Sequence, residues 1–421
     1  MGKIIADLHI HSRYSRACSK QTTIANLEKY ARIKGIGLLG TGDFQHPEWQ
    51  KELKQELTDD GSGIPKTKTG FSFVYQTEVS LMYTDGKGRR IHLIVLAPNF
   101  EAVKQITELL GKKGRLDYDG RPIFKIPCPD FVEMMRGISE DIEIIPAHAW
   151  TPWFGLFGSM SGFDSVMECF KDQSKHIRAI ETGLSSDPAM NWRLSQLENR
   201  QILSFSDCHS FWPWRIGREA TTFDLKKLTY SDLLKAIRTG EGLADTIEFF
   251  PEEGKYHFDG HRTCNISMHP KESLQHKKIC PVCKKQMTIG VLHRVEELAD
   301  KPEGYKPASA KPYKNLIPLS ELIAHGISSP VASQKTWRIY NELMKEFGNE
   351  MNVLIDAEEE KIKKIADAKV TDLILRNRNQ KIKFKPGYDG EYGKPIFDEK
   401  EKIKEEKQEQ VKKVQKGLDE F

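Results

Sequence analysis

An α/β fold with a parallel sheet is predicted for the first part of this 421-residue chain, because short apolar segments alternate with helix-like segments from residue 3 to about 250. A stretch rich in His and Cys follows, and residues 316–372 show helical apolar spacing with few strand signals. We therefore predict an α/β domain at 1–250, a small His- and Cys-rich module at 251–300, a mainly helical region at 301–397 and a charged tail at 398–421.

The strand candidates of the first domain are short and apolar, and helix-like segments at 22–34, 101–110 and 130–137 lie between several of them. The candidates are 4–6, 37–39, 73–75, 91–96, 142–145, 179–180 and 202–204. Such a sheet is either open or closed into a barrel, and chemistry gathered at the strand ends favours the barrel. Residues 301–314, rich in Pro, Lys and Ala, are predicted to form a linker.

Composition excludes several classes of protein. The chain is 38% apolar and 29% charged and has no apolar stretch of membrane-spanning length, so we expect no membrane association. The 64 basic and 60 acidic side chains give a net charge of +4, which by itself indicates no partner. Seven cysteines, an odd number, favour reduced thiols. Without a leader-like apolar start, we expect a cytoplasmic, nucleoid-associated, prokaryotic protein.

Possible metal ligands recur at the ends of the predicted strands. His9 and His11 are two residues apart, as are Asp207 and His209, so each pair can point to one face of a strand. A single such residue is usually a hydrogen-bonded or surface side chain, but imidazoles and carboxylates in this number indicate a site for two or three divalent ions, with Zn, Mn, Fe and Mg as candidates. The predicted ligands are His9, His11, Asp43, Glu78, His92, His148, Asp207 and His209. Glu78 or Asp43 would bridge two ions, and Glu181 has either a structural or an active-site role.

This order of residues resembles the polymerase-and-histidinol-phosphatase (PHP) superfamily over about residues 3–250. The resemblance implies a metal-dependent phosphoesterase on a distorted (β/α)₇ barrel, with the eight residues above as catalytic metal ligands. The chain has Asp43-Phe44 where the superfamily often has Asp-His, which leaves His46 as an alternative ligand.

A second metal site is predicted in the middle module. His261 and Cys264 form one short pair and Cys280 and Cys283 another, with the spacing of a tetrahedral structural zinc site. His269 and His276 remain alternatives to His261 as the fourth ligand. Four protein ligands leave no open coordination position, so this zinc ion is expected to stabilise the module rather than catalyse.

Aromatic and basic residues indicate a polyanionic, macromolecular substrate. One aromatic run follows His148 and another follows His209, and at a barrel mouth both could stack on bases or wedge into a duplex. The alternative is a packed rim. Basic residues in the helical part of the chain suit phosphate contacts and predict a DNA-binding region at 301–397, although a solvated helix face is the alternative. The candidate DNA-binding residues are Trp150, Trp153, Phe154, Trp212, Trp214, Arg215, Arg376, Arg378, Lys381 and Lys383.

The order of all these regions, ending in the loop Pro386-Gly387-Tyr388-Asp389-Gly390, resembles archaeal DNA-repair endonucleases of the PHP superfamily. That resemblance implies cleavage 5′ to deaminated bases (uracil, hypoxanthine, xanthine) or abasic sites in damaged DNA. The alternatives are a histidinol-phosphate-type phosphomonoesterase, a PHP exonuclease and a binding module whose metals only hold structure.

The C-terminal residues resemble the peptide by which replication proteins bind the sliding clamp. Gln415, Leu418 and Phe421 have the required spacing, so a PCNA-like clamp is a predicted partner. The alternative is a chance match in a tail rich in Lys and Glu.

Overall fold

The computed structural model describes residues 2–397. The predicted tail and its clamp-binding residues Gln415, Leu418 and Phe421 lie outside this range. The strands up to residue 250 are β1 (Ile4–Asp7), β2 (Leu38–Gly40), β3 (Ser72–Asp85), β4 (Lys87–Ala97), β5 (Ile123–Phe124), β6 (Glu143–Pro146), β7 (Ala179–Glu181), β8 (Gln201–Leu203), β9 (Ala220–Phe223) and β10 (Leu243–Glu248). The helices of the same part are α1 (Ile24–Lys34), α2 (Pro47–Glu56), α3 (Phe100–Gly111), α4 (Cys128–Arg136), α5 (Val166–Phe170), α6 (Pro188–Asn191) and α7 (Tyr230–Thr239).

The later elements are shorter and mostly helical. They are β11 (Asp259–His261), β12 (Ile266–Met268), α8 (Pro270–Gln275), α9 (Val291–Leu298), β13 (Tyr313–Asn315), α10 (Leu319–Gly326), α11 (Gln334–Phe347), α12 (Glu350–Ile355), α13 (Glu359–Ile362), α14 (Ala368–Arg378), β14 (Lys383–Lys385) and β15 (Lys394–Ile396). The predicted mixed α/β class and the helical C-terminal region are confirmed.

One large sheet has the strand order β13-β10-β9-β1-β2-β3-β4-β6, and β5 pairs with β3. The sheet is curled. The separate parallel pair β7–β8 and the segment that follows it contact residues just beyond both the edge strand β6 and the middle strand β1. Just beyond β6, Ala149 N–H donates to Glu181 O at 3.0 Å, and beyond β1, His11 N–H donates to Cys208 O at 3.0 Å. The ends of β1, β6, β7 and β8 therefore lie close together.

The sheet is mixed rather than wholly parallel. Strands β1, β2 and β3 are parallel neighbours, whereas β3 and β4 form a long antiparallel hairpin that turns at Gly86, whose φ is +68°. Asp85-Gly86 is a strong hairpin signal, because glycine adopts this backbone conformation without steric cost. No helix separates these two strands, so they cannot be parallel neighbours.

Helix α1 packs closely against the helical region. Thr23 caps its start by accepting a hydrogen bond from Asn26 N–H, and Gly35 ends it with φ +99°. A Cβ on Gly35 would lie 2.6 Å from Asn349 Oδ1, directly before α12. Glycine is therefore required here both by the left-handed backbone and by the close approach of α12.

The C-terminal region is joined to the rest of the fold by a strand. Tyr313–Asn315, at the end of the predicted linker, pairs in parallel with β10 and extends the large sheet. Residues 386–393, between β14 and β15, pack back on the middle module through Gly387 N–H to Glu252 O at 2.8 Å. No helix within residues 2–397 has the length and apolar character to cross a membrane.

Candidate active site and metal clusters

The first ligands of the site follow directly from β1. Asp7, the last residue of that strand, is buried and accepts hydrogen bonds from Ser206 N–H at 3.0 Å and Gly217 N–H at 2.8 Å. Asp7 thereby fixes the segment that carries Asp207 next to His9 and His11. Burial raises the pKa of Asp7 to about 6, although these hydrogen bonds oppose the rise.

The hairpin β3–β4 supplies the second group of ligands. Glu78 lies opposite Ile94 in the antiparallel register, and His92 is two residues from Ile94, so both side chains lie on one face as diagonal neighbours. As a result His92 Nδ1 lies 2.7 Å from Glu78 Oε1. His148, two residues beyond β6, has its Nε2 atom 3.1 Å from the same oxygen.

These side chains form two groups that share Glu78. Candidate ligand atoms of His9, His11, Glu78 and Asp207 all lie within 4.8 Å of one another, as do those of Glu78, His92 and His148. His11 Nε2 is 3.1 Å from both Glu78 Oε2 and Asp207 Oδ1. A carboxylate shared by two such groups is suited to bridging two ions, so of the two predicted candidates, Glu78 and Asp43, the geometry favours Glu78.

The donor set fits divalent metal ions. His9 Nε2 is buried and, within residues 2–397, has no hydrogen-bond partner, and its nearest carboxylate oxygens, on Glu78 and Asp207, are 3.6 Å away. Unpartnered buried polar atoms are costly unless a further group satisfies them. Imidazole nitrogens and carboxylate oxygens together suit Zn, Mn or Fe.

Burial and close charges shift the pKa values in this site in opposite directions. Burial lowers the pKa of His9, but the carboxylates of Glu181, Asp207 and Glu78 outweigh it and raise the pKa well above its usual value. Burial would raise the pKa of Glu78, but His92 and Arg121 hold it well below its usual range. His92 differs, because burial lowers its pKa to about 4.

Two carboxylates lie behind the clusters and orient their histidines. Glu181, at the end of β7, places Oε1 2.8 Å from His9 Nδ1 and accepts the backbone N–H of His148 at 2.6 Å. Asp43 Oδ1 lies 2.9 Å from His11 Nδ1, and its Oδ2 accepts from Ser12 N–H at 2.7 Å. Carboxylates that hold the second nitrogen of a ligating histidine fix its orientation and raise its basicity.

The backbone is strained at three of these positions. Asp43, His148 and Asp207 have φ values of +43°, +29° and +46°. Such conformations are rare for residues other than glycine and cluster at functional sites, where the surrounding structure holds them.

The structure brings together six of the eight predicted ligands, namely His9, His11, Glu78, His92, His148 and Asp207. Asp43 and His209 lie beside the clusters rather than in them. His209 Nδ1 is 3.0 Å from Asp207 O, and its ring centroid is 4.5 Å from that of His11. His46 stacks on Tyr14 instead, with ring centroids 4.4 Å apart.

The sequence reasoning missed Arg121 and left the role of Glu181 open. Arg121 Nη1 donates to Glu78 Oε2 at 3.0 Å. It belongs to a loop with no strand-end signal, so only the fold reveals this contact. Glu181 could be recognised as a strand-end carboxylate, but its two partners, His9 and His148, are distant in sequence.

A cavity of about 390 Å³ opens beside the clusters and is within the size range of small-ligand sites. Three parts of the chain form its wall: the α/β domain, the middle module and the loop before β15. Its lining includes His92, His148, Asp207, Arg121, Trp153, Phe154, Arg215, Arg218, Phe249, Tyr256, His257, Val291 and Tyr392.

The predicted DNA-binding residues divide into several groups. Trp153, Phe154 and Arg215 line the cavity. Trp212 and Trp214 stack on each other with ring centroids 5.2 Å apart and pack on Trp337 of α11. They therefore join the α/β domain to the helical region. Lys381 and Lys383 are exposed.

The structure corrects the prediction for Trp150 and gives the two predicted arginines partners within the fold. Trp150 is completely buried, and its indole N–H donates to Asn191 Oδ1 at 2.7 Å, so it offers DNA no surface. Arg378 donates to three backbone carbonyls, those of Val353, Leu354 and Ala357 at the end of α12. Arg376 donates to Phe397 O at 2.7 Å. The guanidinium group of Arg378 is thus fully engaged within the fold. The side chain of Arg376 remains 29% exposed, so its contact with DNA stays a prediction.

The predicted cysteine site is assembled. His261 on β11, Cys264 just after it, and the pair Cys280 and Cys283 have ligand atoms within 4.8 Å of one another and could hold a metal ion. The alternative ligands lie elsewhere: His269 caps the start of α8, and His276 follows its end. The small apolar cluster around these ligands contains the buried residues Met268, Cys280 and Met287.

The loop of residues 386–393 binds the middle module and completes the cavity wall. Asp389 accepts hydrogen bonds from Arg262 N–H and from Thr288 Oγ1, each at 2.6 Å. A Cβ on Gly393 would lie 1.9 Å from Glu252 O, so only glycine permits this approach. Tyr392 is thereby placed at the cavity, with Lys255 Nζ 4.6 Å from its ring centroid.

Comparison with known proteins identifies relatives that extend over nearly the whole chain. A family model described as the MJ0043 C-terminal domain matches residues 318–381. The uncharacterized protein MJ0043 of Methanocaldococcus jannaschii is 33% identical over 255 residues, which are 59% of this chain and 31% of that protein. The chain thus spans about a third of that relative. The uncharacterized protein YqxK of Bacillus subtilis is 29% identical over 94% of this chain and 99% of its own length.

Two solved structures are similar at a TM-score of 0.84 and 32% identity. One is the lesion-specific endonuclease PfuEndoQ from Pyrococcus furiosus, matched over 93% of this chain and 95% of that chain. The other is endonuclease Q in complex with a 27-mer duplex carrying an abasic lesion at the active site, matched over 94% and 97%. The chain shares the fold of these structures, in which a curled α/β sheet is followed by a helical C-terminal region. The chain belongs to the endonuclease Q family.

Proposed function

We propose that this protein is a DNA-repair endonuclease that hydrolyses the phosphodiester 5′ to a deaminated base (uracil, hypoxanthine or xanthine) or an abasic site. One observation carries the proposal: a cavity of about 390 Å³ opens directly beside the two ligand groups that share Glu78. The complex of endonuclease Q with an abasic duplex supports it. A displaced nucleotide could enter this cavity while its phosphate lies at the ligand clusters.

The chemistry of the proposed reaction suits two or three divalent ions in the clusters. Such ions supply Lewis acidity, which makes a water molecule a better nucleophile and offsets charge on phosphate oxygens. Glu181 and Asp43 contribute by holding His9 and His11 in fixed orientations. In this proposal Asp43 acts through His11 and His209 is an additional ligand beside Asp207. The cysteine site holds one structural zinc ion.

The cavity wall suits a flat, partly polar base. Trp153, Phe154 and Tyr256 provide aromatic surfaces, and Phe154 is fixed because its carbonyl accepts His92 N–H at 2.9 Å. His257 Nδ1 is buried and without a hydrogen-bond partner within residues 2–397. Burial lowers the pKa of His257 to about 4, so a neutral imidazole ring adds to this aromatic wall. Such a wall suits a base that has been turned out of the duplex.

The proposed DNA partner also agrees with the positions of basic groups. Arg215 is exposed at the cavity, and Lys381 and Lys383 are exposed near the C-terminal end. These three residues are proposed to contact phosphates. A PCNA-like sliding clamp as partner of Gln415, Leu418 and Phe421 remains a sequence-based proposal.

The test is cleavage of end-labelled duplexes that carry one deoxyuridine, deoxyinosine or abasic site, beside an undamaged duplex of the same sequence. Each is incubated with Zn²⁺, Mn²⁺ or Mg²⁺ and, separately, with a chelator. We expect one nick 5′ to the lesion, which requires metal and does not occur in the undamaged duplex.

Other products would identify the alternatives. A ladder that starts at the ends would indicate an exonuclease, and hydrolysis of histidinol phosphate without nicking would indicate a phosphomonoesterase. Binding of lesion DNA without cleavage under any metal condition would indicate a binding module. Each of these results would refute the proposed endonuclease.

A further inference from the structure

Arg121 is an arginine that reaches both the ligand clusters and the cavity. Its Nη1 atom lies 3.0 Å from Glu78 Oε2, and its side chain lines the cavity together with His92, His148 and Asp207. The side chain is 30% exposed, so it is covered by protein on the cluster side but accessible from the cavity. A cation in this position faces whatever group is bound between the clusters and the cavity.

The backbone next to Arg121 is held by Tyr14 and Gln45 and lies against Asp43, the residue that orients His11. Gly120 N–H donates to Tyr14 O at 3.1 Å, and Gln45 Nε2 donates to Gly120 O at 2.5 Å. A Cβ on Gly120 would lie 2.2 Å from Asp43 Oδ2, so this position must be glycine. The arginine is therefore held in place relative to the cluster before any substrate binds.

Two other arginines line the same cavity, but neither contacts the clusters. Arg218 is engaged by Glu253, at 3.2 Å, and lies over the Phe249 ring, at 4.4 Å from its centroid. Arg215 is exposed and forms no ion pair within residues 2–397. Arg121 differs from both because its partner, Glu78, is the carboxylate shared by the two ligand groups.

The Arg121 side chain has unused hydrogen-bonding capacity. A guanidinium group carries five N–H donors in a planar fork. Within the described residues, one hydrogen bond of this side chain is formed, and it goes to Glu78. The remaining donors can therefore engage a second anion while the contact with Glu78 persists.

We infer that Arg121 is a further catalytic residue, whose guanidinium donates hydrogen bonds to a non-bridging oxygen of the scissile phosphate. This inference rests on the proposed function. In the hydrolysis a water oxygen forms a bond to phosphorus, the bond from phosphorus to a sugar oxygen breaks, and the proton lost by the water is balanced by one gained at that sugar oxygen. Arg121 exchanges no proton; it stabilises the negative charge that develops on the phosphoryl oxygens.

The test compares Arg121→Ala and Arg121→Lys with Arg115→Ala. Arg115 is a matched control, since it belongs to the same loop, has a 74% exposed side chain and pairs with Asp117. Four quantities are measured: single-turnover cleavage of the lesion duplex, its Kd, bound metal per chain and Tm. Hydrolysis of bis(p-nitrophenyl) phosphate is followed in parallel, with and without added guanidinium ion.

For Arg121→Ala we expect a loss of about 10²- to 10³-fold in the rates of both reactions, as for removal of one preorganised donor to a transition-state oxyanion. The Kd, metal content and Tm should match those of the Arg115→Ala control. Added guanidinium should restore part of the rate for Arg121→Ala, and Arg121→Lys should be intermediate because lysine keeps the charge but not the fork.

Several results would overturn the inference. Cleavage by Arg121→Ala within about threefold of the control would exclude a catalytic role. Loss of bound metal or a lowered Tm, without rescue by guanidinium, would show that Arg121 only positions Glu78. If the unmodified protein hydrolyses bis(p-nitrophenyl) phosphate but not lesion DNA, the proposed function fails, and the Arg121 comparison still applies to the small diester. Hydrolysis of neither substrate would refute both.

Discussion

Lys34 and Glu350 form a buried ion pair between the α/β domain and the helical region. Lys34 Nζ, at the end of α1, lies 2.6 Å from Glu350 Oε1, at the start of α12, and both side chains are at most 1% exposed. Lys34 also donates to Pro213 O at 2.8 Å, between the stacked Trp212 and Trp214. The pair thus links α1, the tryptophan segment and the helical region.

We predict that Glu350→Gln lowers the free energy of unfolding by about 3–5 kcal/mol, because it leaves the Lys34 ammonium buried without a counter-charge. Lys34→Met should have a similar effect, since Glu350 then keeps its donors Leu319 N–H and Tyr340 OH but not its cation. Urea unfolding measures both. As a control, Glu48→Gln breaks an exposed pair with Lys51 and should change stability by less than about 1 kcal/mol. Equal effects of buried and exposed substitutions would contradict the structural role of the pair.

Asp207→Asn is predicted to lower cleavage of lesion DNA by at least about 10³-fold with Tm nearly unchanged, because it removes a charged ligand oxygen from the cluster. The amide retains the volume of the carboxyl group. Gel-based cleavage, metal analysis and thermal unfolding check the three parts of this prediction. Asp117→Asn is the control, as Asp117 is exposed and paired with Arg115. A fully active Asp207→Asn protein would remove this residue from the site.

The double variant Cys280→Ser, Cys283→Ser is predicted to lose one zinc ion per chain and to destabilise the middle module. The apolar cluster there is small, so metal binding contributes much of its folding free energy. Zinc analysis and limited proteolysis within residues 251–300 provide the measurements. Cys18→Ser is the control, because Cys18 lies outside this cluster. Unchanged zinc content would refute the structural zinc site.

Arg215→Ala is expected to weaken DNA binding, whereas Arg378→Ala is expected to lower the stability of the fold. Arg215 is exposed at the cavity, so its removal should weaken DNA binding and reduce the slope of log K against log salt by about 1. Arg378 holds three carbonyls at the end of α12, so its removal should lower Tm and leave the salt slope unchanged. Fluorescence anisotropy at several salt concentrations and thermal unfolding distinguish the two. If Arg378→Ala reduced the salt slope and Arg215→Ala lowered Tm instead, Arg378 would be the DNA contact and Arg215 the residue that supports the fold.

We predict that the free energy of unfolding decreases as the pH rises from about 4.5 to about 8, because the carboxyl group of Glu248 is buried. Burial raises the pKa of Glu248 from 4.5 to about 8, so the folded protein keeps a proton that the unfolded chain has lost. The stabilisation is complete below about pH 4.5 and is lost by about pH 8, with a total of roughly a few kcal/mol. Urea unfolding at several pH values should show this slope. Glu248→Gln, which resembles the protonated form, should flatten it; an unchanged slope would assign it to another group.

The sequence predicted the site best where regular strand geometry holds. His9 and His11 follow β1 with a spacing of two, and their Nε2 atoms do reach the same cluster. The same argument was only partly successful for Asp207 and His209. Strand β8 ends at Leu203, and Asp207 has a φ of +46°, so the alternation of a strand no longer applies and His209 lies beside the cluster.

Tertiary contacts explain what the sequence could not reveal. Trp150 and Trp153 belong to the same aromatic run after His148, yet Trp150 is buried and Trp153 lines the cavity. Arg378 and the exposed Lys381 lie in the same basic stretch, but Arg378 donates to a carbonyl of α12 that lies 25 residues earlier in the chain. Arg121 reaches Glu78 across a separation of 43 residues. No local pattern encodes such distances.

The cavity wall includes Tyr392, which follows the wall residue Asp207 by 185 residues. A ribosome therefore releases the ligand groups of the α/β domain well before this tyrosine. A nascent chain can thus bring the proposed metal clusters together before the cavity wall is complete. Under the proposed function, the surface that would select the cleavage site is completed later in synthesis than the clusters that would perform the cleavage.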